Sequence, residues 1–245
     1  RTHKPGVGGS NPPLATNKMK QKYLFLLKRI LYYIYGEKFY KRLDYDWSKH
    51  PSRIEIIQNI INKKNYKKYL EIGCDRNENF SQINIDKKVG VDPSRGGTIR
   101  MTSDDFFQEN KNKFDIIFLD GLHTYEQTIK DINNSLKIIS DEGVILIHDC
   151  LPKKIWNQIV PRMYGHWNGD VWKAIVHSRT YDYADTYTCK IDHGIGIVFK
   201  RENKNRLDLS SENIKKLKFA DYYNNHNKFM NLINYDEVER VLENK

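Results

Sequence analysis

The sequence predicts an α/β fold: a Rossmann-like, doubly wound sheet of seven strands with the last strand antiparallel, plus helical extensions at both ends. Three observations predict it. Short apolar runs alternate with helical patterns, which is typical of parallel strands joined by right-handed crossovers. The early runs end in glycine or a carboxylate, as strands at a ligand-binding edge often do. Two late runs, 186–191 and 194–200, are separated by two residues, which favours an antiparallel pair.

The strands are expected in a regular order along the chain. The first, Tyr69–Gly73, is apolar and ends in glycine, and the second, Lys88–Pro93, ends in a carboxylate at Asp92. The remaining strands are expected at 98–102, 114–120, 143–149, 186–191 and 194–200.

Two helices are predicted from capping residues and periodicity. Ser52 and Glu55 form a reciprocal capping pair ahead of an isoleucine-rich run, so a helix is expected from residue 52 to about residue 62. Thr124 and Gln127 are interpreted as a second pair, opening a helix whose apolar residues recur every three or four positions. These apolar residues are Tyr125, Ile129, Ile132, Leu136 and Ile139.

The first 18 residues differ from the rest of the chain, since they lack periodicity and are rich in glycine and proline. Gly8–Pro13 can be back-translated to the T-arm sequence of a transfer RNA gene. We therefore interpret residues 1–18 as a non-native or disordered leader, with Met19 as the native initiator. Mass spectrometry of the protein made from its native locus tests this, and a mature chain that begins before Met19 would contradict it.

The rest of the chain divides into three segments. Residues 19–68 are expected to form an N-terminal helical extension, residues 69–202 the α/β domain, and residues 203–245 a helical tail that is polar and peripheral. The chain of 245 residues is long enough for one core with such additions.

Composition favours a cytoplasmic protein. Hydrophobic residues make up 39% of the chain, the mean hydropathy is −0.74, and no run approaches the ~20 apolar residues that span a bilayer. The three cysteines show no metal-type spacing, and their odd number predicts no disulfide framework.

The net charge of +10 is unevenly distributed. Residues 1–68 carry 16 Lys and Arg against 4 Asp and Glu, whereas the remainder carries 25 against 27. Because the α/β domain is close to neutral, we do not expect nucleic acid to be the partner.

The segment Lys20–Leu43 predicts a basic helix with one apolar face, formed by Leu24, Leu27, Leu31 and Ile34. We expect this face to pack on its own domain. Contact with a membrane surface is the less favoured alternative.

The carboxyl ends of the expected strands carry the candidate site. Glu71, Gly73 and Cys74 follow the first strand, and Asp92 can accept hydrogen bonds from two ribose hydroxyls. The other candidates at these ends are Ser103, Asp104, Asp120, His148 and Asp149. Only one glycine follows the first strand, so the loop is a poor pyrophosphate cradle. This favours an adenosine ligand without phosphate over a dinucleotide.

The stretch Tyr69–Pro152 resembles the class I methyltransferases, and more narrowly the family called methyltransferase domain 24. The segments that carry the resemblance are Leu70–Cys74, Gly90–Pro93, Met101–Phe107, Phe118–Gln127 and Gly143–Cys150. The resemblance implies S-adenosylmethionine as methyl donor and a hydroxyl of a sugar, glycan or other small molecule as acceptor. The implied donor-binding residues are Glu71, Gly73, Cys74, Asp92, Ser103, Asp104 and Asp120.

Methyl transfer to oxygen needs a positioned acceptor and a base. His123 and His148 are the candidate bases, and Asp149 is expected to act with them. Related enzymes hold a divalent cation after the fourth and fifth strands, so Asp120 and Asp149, with His148 as a further candidate, are the candidate ligands of an ion such as magnesium. The alternative is a structural cluster of hydrogen-bonded carboxylates and histidines without metal.

Gly165–Lys173 contains two tryptophans together with His, Asn and Asp. One interpretation is a surface that stacks on a sugar acceptor. The slightly favoured alternative is that Trp172 anchors a helix and Trp167 packs against the sheet.

Three other functions of the protein stay open: an NAD-linked oxidoreductase, a nucleic-acid methyltransferase or binding protein, and a scaffold that has lost catalysis.

Overall fold

The structure is a computed structural model that describes residues 22–24, 26–28, 30–31, 42–48, 51–162 and 165–243. The expected leader 1–18 and the expected initiator Met19 lie outside the described residues. Within the described ranges, no helix has both the length and the apolar character needed to cross a membrane.

The described chain alternates helices and strands as expected. The helices are α1 (helical at 22–24, 26–28 and 30–31), α2 (Arg53–Lys64), α3 (Ser103–Glu109), α4 (Tyr125–Ile138), α5 (Ile155–Gln158), α6 (Val171–Ser178), α7 (Ser211–Lys216), α8 (Phe219–Met230) and α9 (Val238–Glu243). The strands are β1 (Lys68–Ile72), β2 (Lys87–Val91), β3 (Phe114–Leu119), β4 (Ile139–Ile147), β5 (Asp185–Cys189), β6 (Ile195–Phe199) and β7 (Leu232–Ile233).

The seven strands form one sheet in the order β2-β1-β3-β4-β6-β5-β7. Strands β1 to β4 are parallel, and β6 runs antiparallel to both β4 and β5. The prediction of a doubly wound sheet with an antiparallel last strand in the α/β domain is therefore confirmed. The carboxyl ends of β1 to β4 consequently meet at one edge.

One expected strand is wrong. Residues 98–102 form no strand, and Ile99 makes only an isolated parallel bridge to Val91. Strand β7 from the C-terminal tail instead brings the number of strands to seven, through its parallel pairing with β5.

Both faces of the sheet are covered, because side chains alternate between them along each strand. Ile117 and Leu119 of β3 point to the face covered by α4, α6 and α8, whereas Ile116 and Phe118 point to the face covered by α2 and α9. Sheets buried on both faces have apolar strands, which explains why the sequence showed apolar runs instead of strict alternation.

The two predicted capping pairs have different outcomes. Ser52 and Glu55 form the reciprocal capping box of α2, as expected. The Thr124–Gln127 pair is wrong, because the Thr124 side chain makes no capping hydrogen bond. Asp170 caps α4 instead, since its Oδ1 accepts from the backbone N–H of Tyr125 at 2.7 Å.

The tail is helical, but it is not peripheral. Phe219, Tyr222 and Met230 of α8 are fully buried in the main core.

Helix α1 is more exposed than the sequence predicted. We expected its apolar face to pack on the domain, yet Leu24, Leu27 and Leu31 are 54%, 59% and 53% exposed.

Candidate functional site

The end of β1 lies tightly against the end of β3, and Gly73 makes this possible. The Gly73 N–H donates to Val91 O at 2.8 Å, and the Asp120 N–H donates to Ile72 O at 2.8 Å. A Cβ on Gly73 would lie 2.2 Å from Asp120 O, and the residue has a φ of +89°. Glycine is therefore required where the two strand ends meet.

A cleft of about 480 Å³ runs along this edge. Five of the seven expected donor-binding residues line it: Gly73, Asp92, Ser103, Asp104 and Asp120. Apolar and backbone surface from Ile72, Val91, Pro93, Gly121 and Leu122 lines it as well. This combination of carboxylates and apolar surface suits a nucleoside with hydroxyl groups.

Asp92 organises the loops that surround the cleft. Its carboxylate accepts from the backbone N–H groups of Asp75, Ser94 and Arg95 at 2.8 to 2.9 Å. Burial by itself raises the pKa of Asp92, but these hydrogen bonds outweigh burial and the pKa is lowered. The group is thus an ionised acceptor at neutral pH, as binding of ribose hydroxyls requires.

Glu71 and Cys74 lie outside the cleft and line a smaller adjoining cavity of about 250 Å³, together with Asp120 and His123. Glu71 is buried, and its carboxylate accepts from the Tyr69 hydroxyl and from Asn79 Nδ2 at 2.7 Å. The Cys74 thiol is also buried and points towards the Glu71 carbonyl at 3.7 Å. Both residues therefore lie where β1 meets the loop that follows it, and face away from the cleft.

The loop after β1 reaches its shape with few glycines. Asp75 and Asn77 adopt positive φ angles of 43° and 64°. Asp and Asn tolerate this left-handed conformation better than other residues with a Cβ. Asn77 also fixes the neighbouring turn, since its Oδ1 accepts from the Gly97 N–H at 2.6 Å. The loop after β1 therefore forms its turn without any glycine beyond Gly73.

Ser103 and Asp104 open helix α3 on the far side of the cleft. Gln127 Nε2 lies 3.1 Å from the Ser103 hydroxyl and 3.1 Å from Asp104 Oδ1, and it also donates to Asp131 at 3.0 Å. Gln127, which the sequence had suggested as a capping residue, thus ties α4 to the cleft wall.

The three candidate catalytic residues come together beside the cleft. His123 Nε2 lies 3.2 Å from Asp120 Oδ1, and His123 Nδ1 lies 3.2 Å from Asp149 Oδ2. His148 Nδ1 lies 3.2 Å from the same oxygen of Asp120. The side chain of His148 is 4% exposed and that of His123 is 19% exposed, so His123 is the more accessible imidazole.

Two further members of this cluster were missed by sequence reasoning. Arg53, in the first turn of α2, places Nη1 2.9 Å from the ring nitrogens of His148 and 3.5 Å from Asp120 Oδ2. Asp192, between β5 and β6, lies 3.4 Å from His148 Nε2 and accepts from the Arg53 backbone N–H at 2.8 Å. Neither residue stands in a motif, and no signal in a single sequence marks them.

The charges in the cluster shift its protonation equilibria. Burial lowers the pKa of His148, but the carboxylates of Asp120, Asp149 and Asp192 outweigh burial and raise it to about 10. Burial likewise lowers the pKa of His123, and the same kind of carboxylate contacts raise it above its usual value. The pKa of Asp120 is lowered, because the two imidazoles outweigh the opposing effect of its burial.

Trp167 lies over His123, with ring centroids 5.4 Å apart, and its Nε1 donates to Ile159 O at 2.6 Å. Asn168 is buried and donates to Asp149 Oδ1 at 2.8 Å. Trp172 is fully buried in α6, as its structural interpretation requires. Trp167 and Asn168, in the first part of Gly165–Lys173, therefore lie at the site, and Trp172, in its second part, anchors helix α6.

The donor set of Asp120, His123 and Asp149 fits a divalent cation, since one ligand atom from each lies within 4.8 Å of the others. The expected ligands Asp120 and Asp149 are both in this set, whereas His148 is not. Two carboxylate oxygens and one imidazole nitrogen are ligands for manganese or zinc, and for magnesium only with added water.

Comparison with known proteins shows what part of the domain is similar to. A family model described as a methyltransferase domain matches residues 56–150. Two similar solved structures are an S-adenosylhomocysteine-bound methyltransferase from Podospora anserina (14% identity, TM-score 0.48, covering 79% of this chain and 100% of that one) and an O-methyltransferase from Bacillus cereus in complex with S-adenosylhomocysteine (11% identity, TM-score 0.48, covering 78% and 93%). No protein among the curated sequences matches this chain.

The parallel strands, the antiparallel β6 and the cleft at the carboxyl edge define an α/β domain of the doubly wound type. Within it, residues 56–150 match the methyltransferase domain model, which covers 95 of the 245 residues.

Proposed function

We propose that the protein transfers a methyl group from S-adenosylmethionine to a hydroxyl of a sugar or other small acceptor. The observation that carries this proposal is the position of His123. It contacts Asp120, and Asp120 lines both the donor cleft and the adjoining cavity. A base at the end of a donor cleft suits an acceptor that must lose a proton, as a hydroxyl must.

In the proposed reaction the acceptor oxygen attacks the methyl carbon of the donor. A carbon–oxygen bond forms, the carbon–sulfur bond breaks, and its electron pair stays on sulfur to give S-adenosylhomocysteine. His123 takes the hydroxyl proton and becomes an imidazolium, with Nε2 3.2 Å from Asp120 Oδ1 and Nδ1 3.2 Å from Asp149 Oδ2. Asp120 and Asp149 stabilise the imidazolium that results, since both carboxylates lie 3.2 Å from the ring.

His148 is better suited to positioning than to proton transfer. Its side chain is only 4% exposed, and its ring nitrogens already contact Arg53, Asp120 and Asp192, so an acceptor hydroxyl cannot readily reach them. His148 contacts Asp120 Oδ1, the oxygen that His123 also contacts, and Arg53 lies 3.5 Å from Asp120 Oδ2, so His148 and Arg53 together hold this carboxylate in place. Of the two candidate bases, we therefore assign the role to His123.

A divalent cation is the alternative way to activate the acceptor. Bound by Asp120, His123 and Asp149, it would lower the pKa of the acceptor hydroxyl, and His123 would then be a ligand. Methyl transfer in the presence of EDTA distinguishes the two: undiminished activity supports the base, and activity restored only by manganese or magnesium supports the cation.

Donor binding is the first test of the proposed function. We expect S-adenosylhomocysteine to bind in the micromolar range by calorimetry, and the substitution Asp92→Ala to abolish binding because the cleft loops lose their shared acceptor. Asp86→Ala is the matched control, since this carboxylate is 69% exposed and pairs with Lys67 outside the cleft. If the unsubstituted protein does not bind, the scaffold interpretation replaces the enzyme.

The base is tested by substitution of the two histidines. Using labelled donor and a panel of hydroxylated sugars and glycolipids, we expect His123→Asn to lower methyl transfer by roughly 100-fold or more while donor affinity is kept. The rate should rise with pH through the pKa of His123, and this dependence should vanish in His123→Asn. His148→Asn should slow transfer but keep the pH dependence. The opposite assignment holds if His148→Asn loses it instead.

A further inference from the structure

The exposed large apolar side chains of the described chain are concentrated in α1. Nine large hydrophobic residues are exposed in the described ranges, and six of them belong to this one helix. They are Tyr23 (69%), Leu24 (54%), Leu26 (43%), Leu27 (59%), Ile30 (54%) and Leu31 (53%). A concentration of this kind marks a surface that another molecule covers.

These residues share one face of the helix. At about 100° per residue they fall within an arc of roughly 160°, and Lys22 and Lys28 lie outside it. The wider segment 20–43 carries seven Lys and Arg residues and a single acidic residue, Glu37. An apolar face bordered by cations has the chemistry of a helix that lies in the plane of a membrane interface.

We propose that α1 docks the protein on an anionic membrane surface. The apolar face enters the boundary between headgroups and acyl chains, and the lysines and arginines contact the phosphate groups of anionic lipids. The charge selects this occupant over a second copy of the chain, because two faces bordered by cations would repel each other.

The attachment would also hold the site near the membrane. After α1 the chain is anchored on the domain at residues 42–48, where the Leu43 N–H donates to Lys153 O at 3.1 Å. Trp47 packs against His193, with ring centroids 5.6 Å apart, and His193 lies 6.2 Å from His148 of the cluster. Eleven residues from 31 to 42 span at most about 40 Å. If the proposed function holds, the acceptor is a hydroxyl on a lipid-borne molecule.

Vesicle cosedimentation of the full chain tests the proposal. We expect binding to phosphatidylcholine vesicles that contain about 30 mol% phosphatidylglycerol, weak binding without the anionic lipid, and loss of binding as salt rises from about 0.1 to 0.5 M. The pair Leu27→Glu with Leu31→Glu should weaken binding by at least about ten-fold, as should Lys22→Glu with Lys28→Glu. Tyr183→Glu is the control, because Tyr183 is 53% exposed on the domain.

Three results would overturn the proposal: no binding to anionic vesicles, binding that the α1 substitutions leave unchanged, or a dimer in solution that Leu27→Glu with Leu31→Glu dissociates. Titration of the same samples with S-adenosylhomocysteine separates this proposal from the methyltransferase function. Donor binding without vesicle binding rejects only the membrane surface, and vesicle binding without donor binding rejects only the proposed function.

Discussion

Glu71 is a buried carboxyl group whose protonation is coupled to stability. Burial raises its pKa from 4.5 to about 7, against the opposing effect of its bonds to Tyr69 and Asn79. Because the pKa is raised in the folded state, the stabilisation is fully present below pH 4.5 and is lost as the pH rises through about 7. The loss amounts to about 3 kcal/mol.

We therefore expect Glu71→Gln to remove this pH dependence and to stabilise the protein at pH 8. Glutamine is neutral at every pH, and its amide can donate to Asn79 Oδ1, a buried atom without a hydrogen-bond partner. Urea unfolding between pH 5 and 8.5 measures the effect against the unsubstituted protein. A parallel decline of both proteins with rising pH would show that another group titrates.

Sequence reasoning found some members of the site and missed others for a physical reason. Asp120 and Asp149 follow apolar strands, and the carboxyl ends of parallel strands meet, so their proximity was predictable. Arg53 and Asp192 reach His148 across 95 and 44 residues of chain, and only the packed fold brings them there. Nothing local distinguishes Arg53 from any cation in a first helical turn.

At the scale of the structural element, the loop after β1 depends on two residues with left-handed backbone conformations. Asp75 has a φ of 43°, its N–H donates to Asp92, and its carboxylate pairs with Arg95. We expect Asp75→Val to weaken S-adenosylhomocysteine binding by ten-fold or more, since a β-branched residue at this φ costs roughly 1–3 kcal/mol. Calorimetry measures the change.

Asp75→Gly is the matched substitution, because glycine adopts the same φ without strain. It removes the Arg95 ion pair as Asp75→Val does, and this pair is exposed and contributes little. Donor affinity close to that of the unsubstituted protein is therefore expected. Equal losses in both variants would show that the ion pair, and not the backbone, holds the loop.

Element boundaries show what local patterns can and cannot predict. The β3 run was predicted well because it is apolar throughout and central in the sheet. The strand expected at 98–102 failed because Gly96 and Gly97 turn the chain, with φ angles of 68° and 65°, so that Ile99 meets β2 only briefly. The cap expected at Thr124 failed because Asp170, distant in sequence, supplies the acceptor.

On the scale of the whole molecule, the C-terminal tail is part of the core. Polar residues dominate its sequence and gave it the pattern of a peripheral segment, yet several of its apolar residues are buried. Phe219 and Tyr222 are fully buried, and Tyr222 packs on Trp172, with ring centroids 5.0 Å apart. Strand β7 then extends the sheet beyond β5. Sparse apolar residues can therefore anchor a segment, which composition alone does not reveal.

A buried polar residue, Arg179, also holds the C-terminal tail on the domain. It is buried after α6, and its guanidinium donates to the carbonyls of Lys228, Phe229 and Asn205. Two of these carbonyls belong to the last turn of α8, where helical carbonyls lack partners and a cation is favoured by the helix dipole.

We expect Arg179→Met to destabilise the whole protein by about 2–4 kcal/mol, because the side chain keeps its bulk while buried carbonyls lose their donor. Lys216→Met is the control, since Lys216 forms an exposed pair with Glu212 and should change stability by less than about 0.5 kcal/mol. Thermal and urea unfolding followed by circular dichroism measure both. We expect Arg179→Met to unfold in a single cooperative transition at a lower denaturant concentration than the unsubstituted protein, because the tail shares its core with α6. A separate early transition in Arg179→Met would instead show that the tail unfolds alone and that the sheet stands without it.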